Sequence, residues 1–425
     1  MLASNAFAAT FTVTTQTGTG PGSLQQAILD ANANAGPDEI RFAVSGVDLT
    51  APLSPISGPT AINGTLPGGT KVVISKFFGN EVDCDRLFQF ESGSSGSSLT
   101  AIETSGFCED LRIAAAVSNV IVTDSRLRGD AAILGNDNTF IGNSIARVTI
   151  NGDRNRLLQN EITVFVRLIS ADDNQIGSAT QGNRIRFLGL ESSGGTVVEG
   201  NTFDPLSGST NFAAISVSNV QSAVPGPIVI RANTFSGYRR GVSVLPPAAP
   251  VFPNPTGITI TANSISFAEI PIDLGNNGLT ANDPAPDADT GPNNLQNYPV
   301  LARAAVGVGQ YTVSGSLTSA PLTTYRIELF SGPASFPNPR TFLGGFDVTT
   351  DASGVATFTH SGTTGPAAGE VVMATATNLT TGDTSEVSAA VTVESAGLIP
   401  TLSPWALLAL ALTLCVVAYH FSVRI

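Results

Sequence analysis

From Phe11 to about Asn297 the chain alternates short apolar runs with Asn, Gly, Asp and Ser. Apolar runs this short, bounded by turn formers, predict short strands in long succession. Helical periodicity is clear once, in Ser23 to Ala33, where Leu24, Ala27, Ile28 and Ala31 fall on one face. Ser23 stands at the N-cap of that segment, where its hydroxyl can accept a bond from an orphan backbone N–H. One amphipathic helix ahead of many strands suits a solenoid, whose open ends must be covered.

A repeat supports the solenoid. Asn138-Thr-Phe-Ile-Gly-Asn143-Ser-Ile returns 17 residues later as Asn155-Arg-Leu-Leu-Gln-Asn160-Glu-Ile. Related units end at Asn201, Asn233 and Asn263, at further spacings of 41, 32 and 30. These intervals are one coil or two shorter ones, and predict roughly a dozen rungs at about 20–28 residues per coil. Asn tolerates the left-handed backbone that turns a chain sharply. Stacked in register, such side chains can bond along a ladder.

Beyond Tyr298 the pattern changes. Longer alternating strands, such as Thr324-Tyr-Arg-Ile-Glu-Leu-Phe and Glu370-Val-Val-Met-Ala-Thr-Ala-Thr, separated by turns such as Asp351-Ala-Ser-Gly, predict a β-sandwich of about 95 residues. A spacer between solenoid and membrane is its expected role. The chain then ends in an apolar stretch, Trp405 to Val423, long enough to cross a bilayer as one helix. At the other end Ala6-Phe7-Ala8 reads as a small-x-small cleavage site, so residues 1–9 are expected to be the remnant of a signal peptide.

Composition narrows the function classes. Charged residues make only 12% of the chain against 42% hydrophobic, which disfavours charged helical bundles and suggests coils held by Asn turns more than by surface ion pairs. The net charge of −13 argues against nucleic acid as a partner. Histidine occurs only at His360 and His420, and zinc ligand sets are absent. Cys84 and Cys108 are a candidate disulfide, closing a loop for a gain of about 3 kcal/mol, with two free thiols as the alternative.

The candidate chemistry is sparse. Asp283, Asp287, Asp289 and Asn293 offer hard oxygen ligands around Gly291 and suit a structural Ca²⁺; a connecting loop rich in Asx and Pro is the other reading. No other cofactor is expected. Asp172-Asp173 is the one adjacent acid pair in the coils and reads more readily as a solvated corner than as a catalytic dyad. Arg154, Arg156, Arg184 and Arg186 are candidates to line one face, but no acids accompany them at a recognisable spacing.

Two stretches carry a resemblance. Gly22-Ser-Leu-Gln-Gln-Ala-Ile-Leu-Asp-Ala-Asn32, with the Asn repeats, resembles right-handed parallel β-helix proteins of the pectin-lyase-like class found on bacterial surfaces; Gln25 stands where they carry Arg. Ile399-Pro400-Thr401-Leu402-Ser-Pro-Trp405 resembles the IPTL-CTERM sorting signal of Gram-negative bacteria, although Ala406 replaces the usual Gly and Arg424 is the only basic residue of the tail.

The resemblance implies an all-β chain: β-helix over 10–297, immunoglobulin-like sandwich over 298–396, and sorting signal with transmembrane helix over 397–425. It further implies export to the envelope or beyond, with an exosortase-type enzyme as partner. Cys84 and Cys108, 24 residues apart, would then sit about one coil apart. The expected function is a non-catalytic adhesin-like or structural envelope protein, not an enzyme, with a glycan or cell-surface ligand. A polysaccharide lyase or glycoside hydrolase is the alternative.

Overall fold

The computed structural model describes residues 9–77, 85–205, 210–218, 227–249, 253–266, 268–395, 408–409 and 411–414. The chain winds into a parallel β-helix. Eleven short strands, from Thr10–Val13 to Ile258–Thr261, stack in parallel as one sheet. Two further parallel stacks face the same core, and long strands such as Glu161–Ile169 bend at a corner to serve both.

Register aligns the apolar positions into columns. Val122, Phe140, Leu157, Ile176, Val198, Ile230 and Ile260 form one. Ile145, Ile162, Ile185, Phe203, Phe235 and Ile265 form a second, in which Phe203 and Phe235 stack at 4.8 Å. Ile150, Leu168, Leu190, Val217, Val244 and Leu274 form a third. All are buried, each contributing roughly 1.5–3 kcal/mol.

The expected asparagine ladder is present. Asn143, Asn160, Asn183, Asn201, Asn233 and Asn263 are buried one above another, each side-chain amide donating to the next side-chain oxygen at 2.9–3.1 Å. The same oxygens accept the backbone N–H of the preceding Asn. Asn183 is the rung hidden in the 41-residue interval. A second ladder runs through Asn138, Asn155 and Asn174. The asparagines themselves do not make the left-handed turn: that conformation belongs to the residue before them, Gly142, Gln159, Gly200, Ala232 and Ala262, with φ of 50–68°.

Surface ion pairs are more numerous than the low charge suggested. Arginines on one coil pair with acids on the next, as in Arg154 with Asp137 at 2.8 Å and Arg184 between Glu161 and Asp204. Exposed pairs of this kind contribute about 1 kcal/mol or less.

Both ends of the solenoid are closed. At the start lies the helix Leu24–Ala33, with Leu24, Ala27, Ile28 and Ala31 buried and the Ser23 hydroxyl accepting from Gln26 N at 3.2 Å. At the other end sits a seven-stranded β unit built from 300–395. Its two halves meet at Val391–Ser395, which pairs antiparallel with Val371–Asn378 and parallel with Val300–Gly307. This shows a β unit with a core of its own without showing the immunoglobulin-like arrangement.

That unit forms a lid on the solenoid. A last coil exposes backbone donors that no further coil can satisfy. Here Glu328 accepts from Ala262 N at 2.8 Å, Glu386 from Leu274 N at 2.8 Å and Thr280 N at 2.6 Å, and Asp383 from Gly257 N at 2.6 Å. Thr384 and Asn338 accept from Ile260 N and Ala268 N. Val371, Met373 and Val387 extend the solenoid core across the joint.

Cys108 is disulfide-bonded; its expected partner, Cys84, lies outside the described residues. Residues 1–8 of the expected 1–9 remnant and the sorting motif Ile399, Pro400, Thr401, Leu402 and Trp405 also lie outside them. Of the apolar stretch Trp405 to Val423 only 408–409 and 411–414 are described, as helix. Among the described residues no helix is long and apolar enough to cross a membrane.

Candidate functional site

The third face of the solenoid carries a trough of about 530 Å³. Its floor follows from register: Gly189, Ser216 and Ser243 lie side by side on successive coils, in a row that continues to Arg167 on one side and Asp273 on the other, on the strand face away from the core. The three central residues are small, so the floor is open. A Cβ at Gly189 would meet nothing closer than 3.8 Å. Backbone crowding therefore does not require the glycine, and a larger side chain there would fill the trough.

One wall is aromatic, formed by Phe165, Phe187 and Phe212. Phe187 is held in place. Phe212 meets it edge-on at 6.1 Å, Tyr238 edge-on at 5.8 Å, and the Arg186 guanidinium lies 5.3 Å from its ring centre. Tyr238 in turn donates its hydroxyl to Arg186 O. Phe212 is 70% exposed, an unusual solvent exposure for a phenyl ring and one that a ligand would relieve. Leu245 and Asn276 also line the trough.

Each end of the floor carries an ion pair. Arg167 grips Glu191 through two bonds of 2.7 Å. Arg240 grips the fully buried Asp273, whose other oxygen accepts from Asn277 N and Gly278 N. Both acids are thus committed to arginines, and the trough offers apolar rings, hydroxyls and an amide more than free charge.

Sequence reasoning missed this site. Phe165, Phe187 and Phe212 are far apart along the chain and meet only through coil register. Alternation was an available signal for Phe165 and Phe212, each in a strand, whereas Phe187 lies between two strands, beyond Arg184–Ile185 and before Leu188–Glu191.

The sequence-derived candidates divide. Asp283, Asp287 and Asp289 do converge, with carboxylate oxygens within 4.8 Å of one another. Asp287 accepts from Ser319 Oγ and from Gln296 Nε2, while one oxygen each of Asp287 and Asp289 is buried without a hydrogen-bond partner. Burial pushes Asp287 up to about 6, and burial with the Asp283 charge raises Asp289. Asn293 does not join them, which corrects the expected fourth ligand. Its amide is turned to the last coil, accepting from Ile258 N and donating to Ile258 O and Thr384 O.

Asp172 and Asp173 hold a corner, as the bland reading expected. Asp172 Oδ1 accepts from Gly194 N, and its own N–H donates to Asp153 Oδ1, extending a third ladder that starts at Asn136. Asp173 supplies a left-handed turn, φ 56°. Arg154 and Arg184 are in ion pairs, and Arg156 bonds Gln175. Arg186 alone of the four borders the trough wall. His360 stacks on Phe346 in the lid, remote in sequence and element from the trough.

No family model matches the chain, and no curated protein matches it. Among solved structures it is similar to the enzymatically active domain of tailspike protein 2 from bacteriophage CBA120, at 11% identity and a TM-score of 0.31, over 89% of this chain and 71% of that one. It is also similar to ORF18 of Geobacillus virus E2, at 10% identity and a TM-score of 0.28, over 90% and 76%. The first of these is described as an enzymatically active domain, and the expectation that the present chain is not an enzyme is not retained.

Proposed function

We propose that the chain acts on an extended polysaccharide outside the cell, seating a short run of sugar units in the trough of the third face. The observation that carries this reading is the pairing of an aromatic wall, the half-buried Phe187 and the exposed Phe212, with a floor of small and hydroxylated residues, Gly189, Ser216 and Ser243. Sugar rings present an apolar face of C–H groups and an equatorial rim of hydroxyls, which such a wall and floor complement. The trough crosses successive coils, so a linear polymer would run along the solenoid axis.

Hydrolysis or lyase cleavage is the reaction class to test. Of the two acids at the ends of the floor, Glu191 is the solvent-accessible one, with its side chain 30% exposed, and Asp273 is buried. Incubation with neutral and uronate-containing polysaccharides, reading both reducing ends and unsaturated products, tests it. Cleavage lost in Glu191→Gln with binding retained supports catalysis at the trough; binding without cleavage in any polysaccharide limits the function to recognition.

The same reading includes parts of the organisation that rest on sequence pattern. Export from a Gram-negative cell, processing of the Ile399–Trp405 signal by an exosortase, a membrane-spanning tail and an immunoglobulin-like lid are proposals supported by the motif and strand patterns above. A structural Ca²⁺ at Asp283, Asp287 and Asp289 is a further one, supported by the two buried carboxylate oxygens without partners.

A further inference from the structure

The lid and the trough share a loop. Glu386 of the lid holds both ends of the 274–280 loop, one carboxylate oxygen on Leu274 N and the other on Thr280 N. Between those ends Asn276 forms part of the trough, and Asn277 N and Gly278 N donate to Asp273. Asp273 holds Arg240, which also lines the trough. Two buried acids therefore fix one loop, with a single guanidinium between them and solvent.

We propose that Glu386 regulates the trough: through the 274–280 loop it sets how tightly the trough holds its glycan, so that binding responds to pH. This rests on the reading of the trough as a glycan site.

The physical cause is the number of charges behind the loop. Glu386 is 2% exposed and Asp273 is fully buried, so water screens neither well. With Glu386 neutral, Asp273 and Arg240 form a balanced pair. With Glu386 ionised, a second anion stands beside Asp273 with no additional cation. Asp383, nearby in sequence, faces Gly257 N and Asn294 Nδ2 and supplies no counter-charge. The repulsion acts on the loop that carries Asn276, and it switches in the neutral range, because burial foremost, with Asp273 adding to it, lifts Glu386 to about 7. The hydroxyl of Thr280, buried and without a hydrogen-bond partner, marks the same spot as incompletely satisfied.

The experiment has two arms on the full chain. Oligosaccharide affinity is measured from about pH 6 to about pH 8.5 for the wild type and Glu386→Gln, which keeps an acceptor oxygen but cannot ionise. The expected result is a fall of at least about fivefold in the wild type as pH rises and a flat profile in E386Q. In the second arm, hydrogen exchange of the Leu274 and Thr280 amides, corrected for the intrinsic pH dependence of exchange, should accelerate over the same range in the wild type alone. If no oligosaccharide binds at any pH, the glycan reading fails and exchange still decides the loop clamp. Identical profiles for wild type and E386Q in affinity or exchange would overturn the proposal. Should E386Q not fold, a wild-type loop whose exchange shows no step across neutral pH overturns it equally.

Discussion

The side-chain amide of Asn160 donates to the side-chain oxygen of Asn183 at 3.1 Å, where neither residue is exposed to solvent. Asn183 also accepts the Asn160 N–H at 2.9 Å and donates to Leu157 O and Asn201 Oδ1. The bond joins two coils 23 residues apart and satisfies every polar group of both side chains in the dry interior. Apolar columns supply the burial; the ladder prevents the corners from leaving orphaned donors.

Breaking that ladder should therefore cost more than losing one ordinary hydrogen bond. Asn183→Ala leaves the backbone N–H of Asn160 and one N–H of its side-chain amide buried and unpaired, the other still donating to Phe140 O. The expected destabilisation is about 3 kcal/mol, since each such group costs about 1–3. Asn151→Ala, at an exposed corner, should stay within about 0.5 kcal/mol of wild type. Denaturant midpoints for the two variants check this; equal small effects would remove the ladder from the account of stability.

The lid joint predicts a particular pH dependence. Burial raises Glu328 and Glu386 to about 7 each from ordinary values near 4.5. A carboxyl raised on folding binds its proton more tightly in the native state, so its contribution is complete below about pH 4.5 and is lost as pH rises through about 7. Stability should thus fall between about pH 5 and about pH 8, by on the order of 2 kcal/mol per carboxyl. Glu328→Gln with Glu386→Gln should flatten this part of the profile of Tm against pH.

Calcium, if it is held by Asp283, Asp287 and Asp289, should raise Tm with a pH dependence of opposite sign. Asp287 must release a proton that burial holds up to about 6. Millimolar Ca²⁺ should stabilise by a few degrees at about pH 8 and by little at about pH 5.5. Asp287→Asn should abolish the difference, and Asn293→Ala should leave the calcium response in place, because Asn293 lies with the last coil. A Tm indifferent to Ca²⁺ at both pH values would leave a shared proton as the neutraliser of the cluster.

Much of the fold was legible because its determinants are local or repeat at short range. The face of Leu24, Ala27, Ile28 and Ala31 is fixed by helical period alone, and Asn143 and Asn160 declare the ladder through surroundings that share one pattern, an Asn five residues before and an Ile two after. Asn183 was hidden because its unit, Gly182-Asn183-Arg184-Ile185, lacks the preceding apolar strand that marked the others. The left-handed residue was misplaced by one position because Asn favours that conformation in general, whereas here its side chain is needed for the ladder and Gly, Gln or Ala takes the turn.

The candidate site was less legible for a physical reason. Phe165, Phe187 and Phe212 become neighbours only after unequal coils are stacked, and the lengths of those coils cannot be read without the register. Glu328 likewise reads as an outward-facing polar position in the alternating strand Thr324-Tyr-Arg-Ile-Glu-Leu-Phe, and Glu386 carries no local signal of burial. Their burial comes from docking against the last coil, a contact between units far apart in sequence. The acid cluster was found through local spacing, and Asn293 was wrongly included because the left-handed turn at 293–295 carries its side chain to the solenoid.

Titration calorimetry with a panel of defined neutral and uronate-containing oligosaccharides tests the central claim most directly, comparing wild type with Phe187→Ala/Phe212→Ala and with Ser216→Trp. The account predicts saturable binding of at least one oligosaccharide to the wild type. It also predicts a loss of at least about tenfold in both variants, equivalent to about 1.4 kcal/mol, while their unfolding midpoints show the solenoid intact. Absence of binding across the panel, or equal affinity in wild type and both variants, would contradict it.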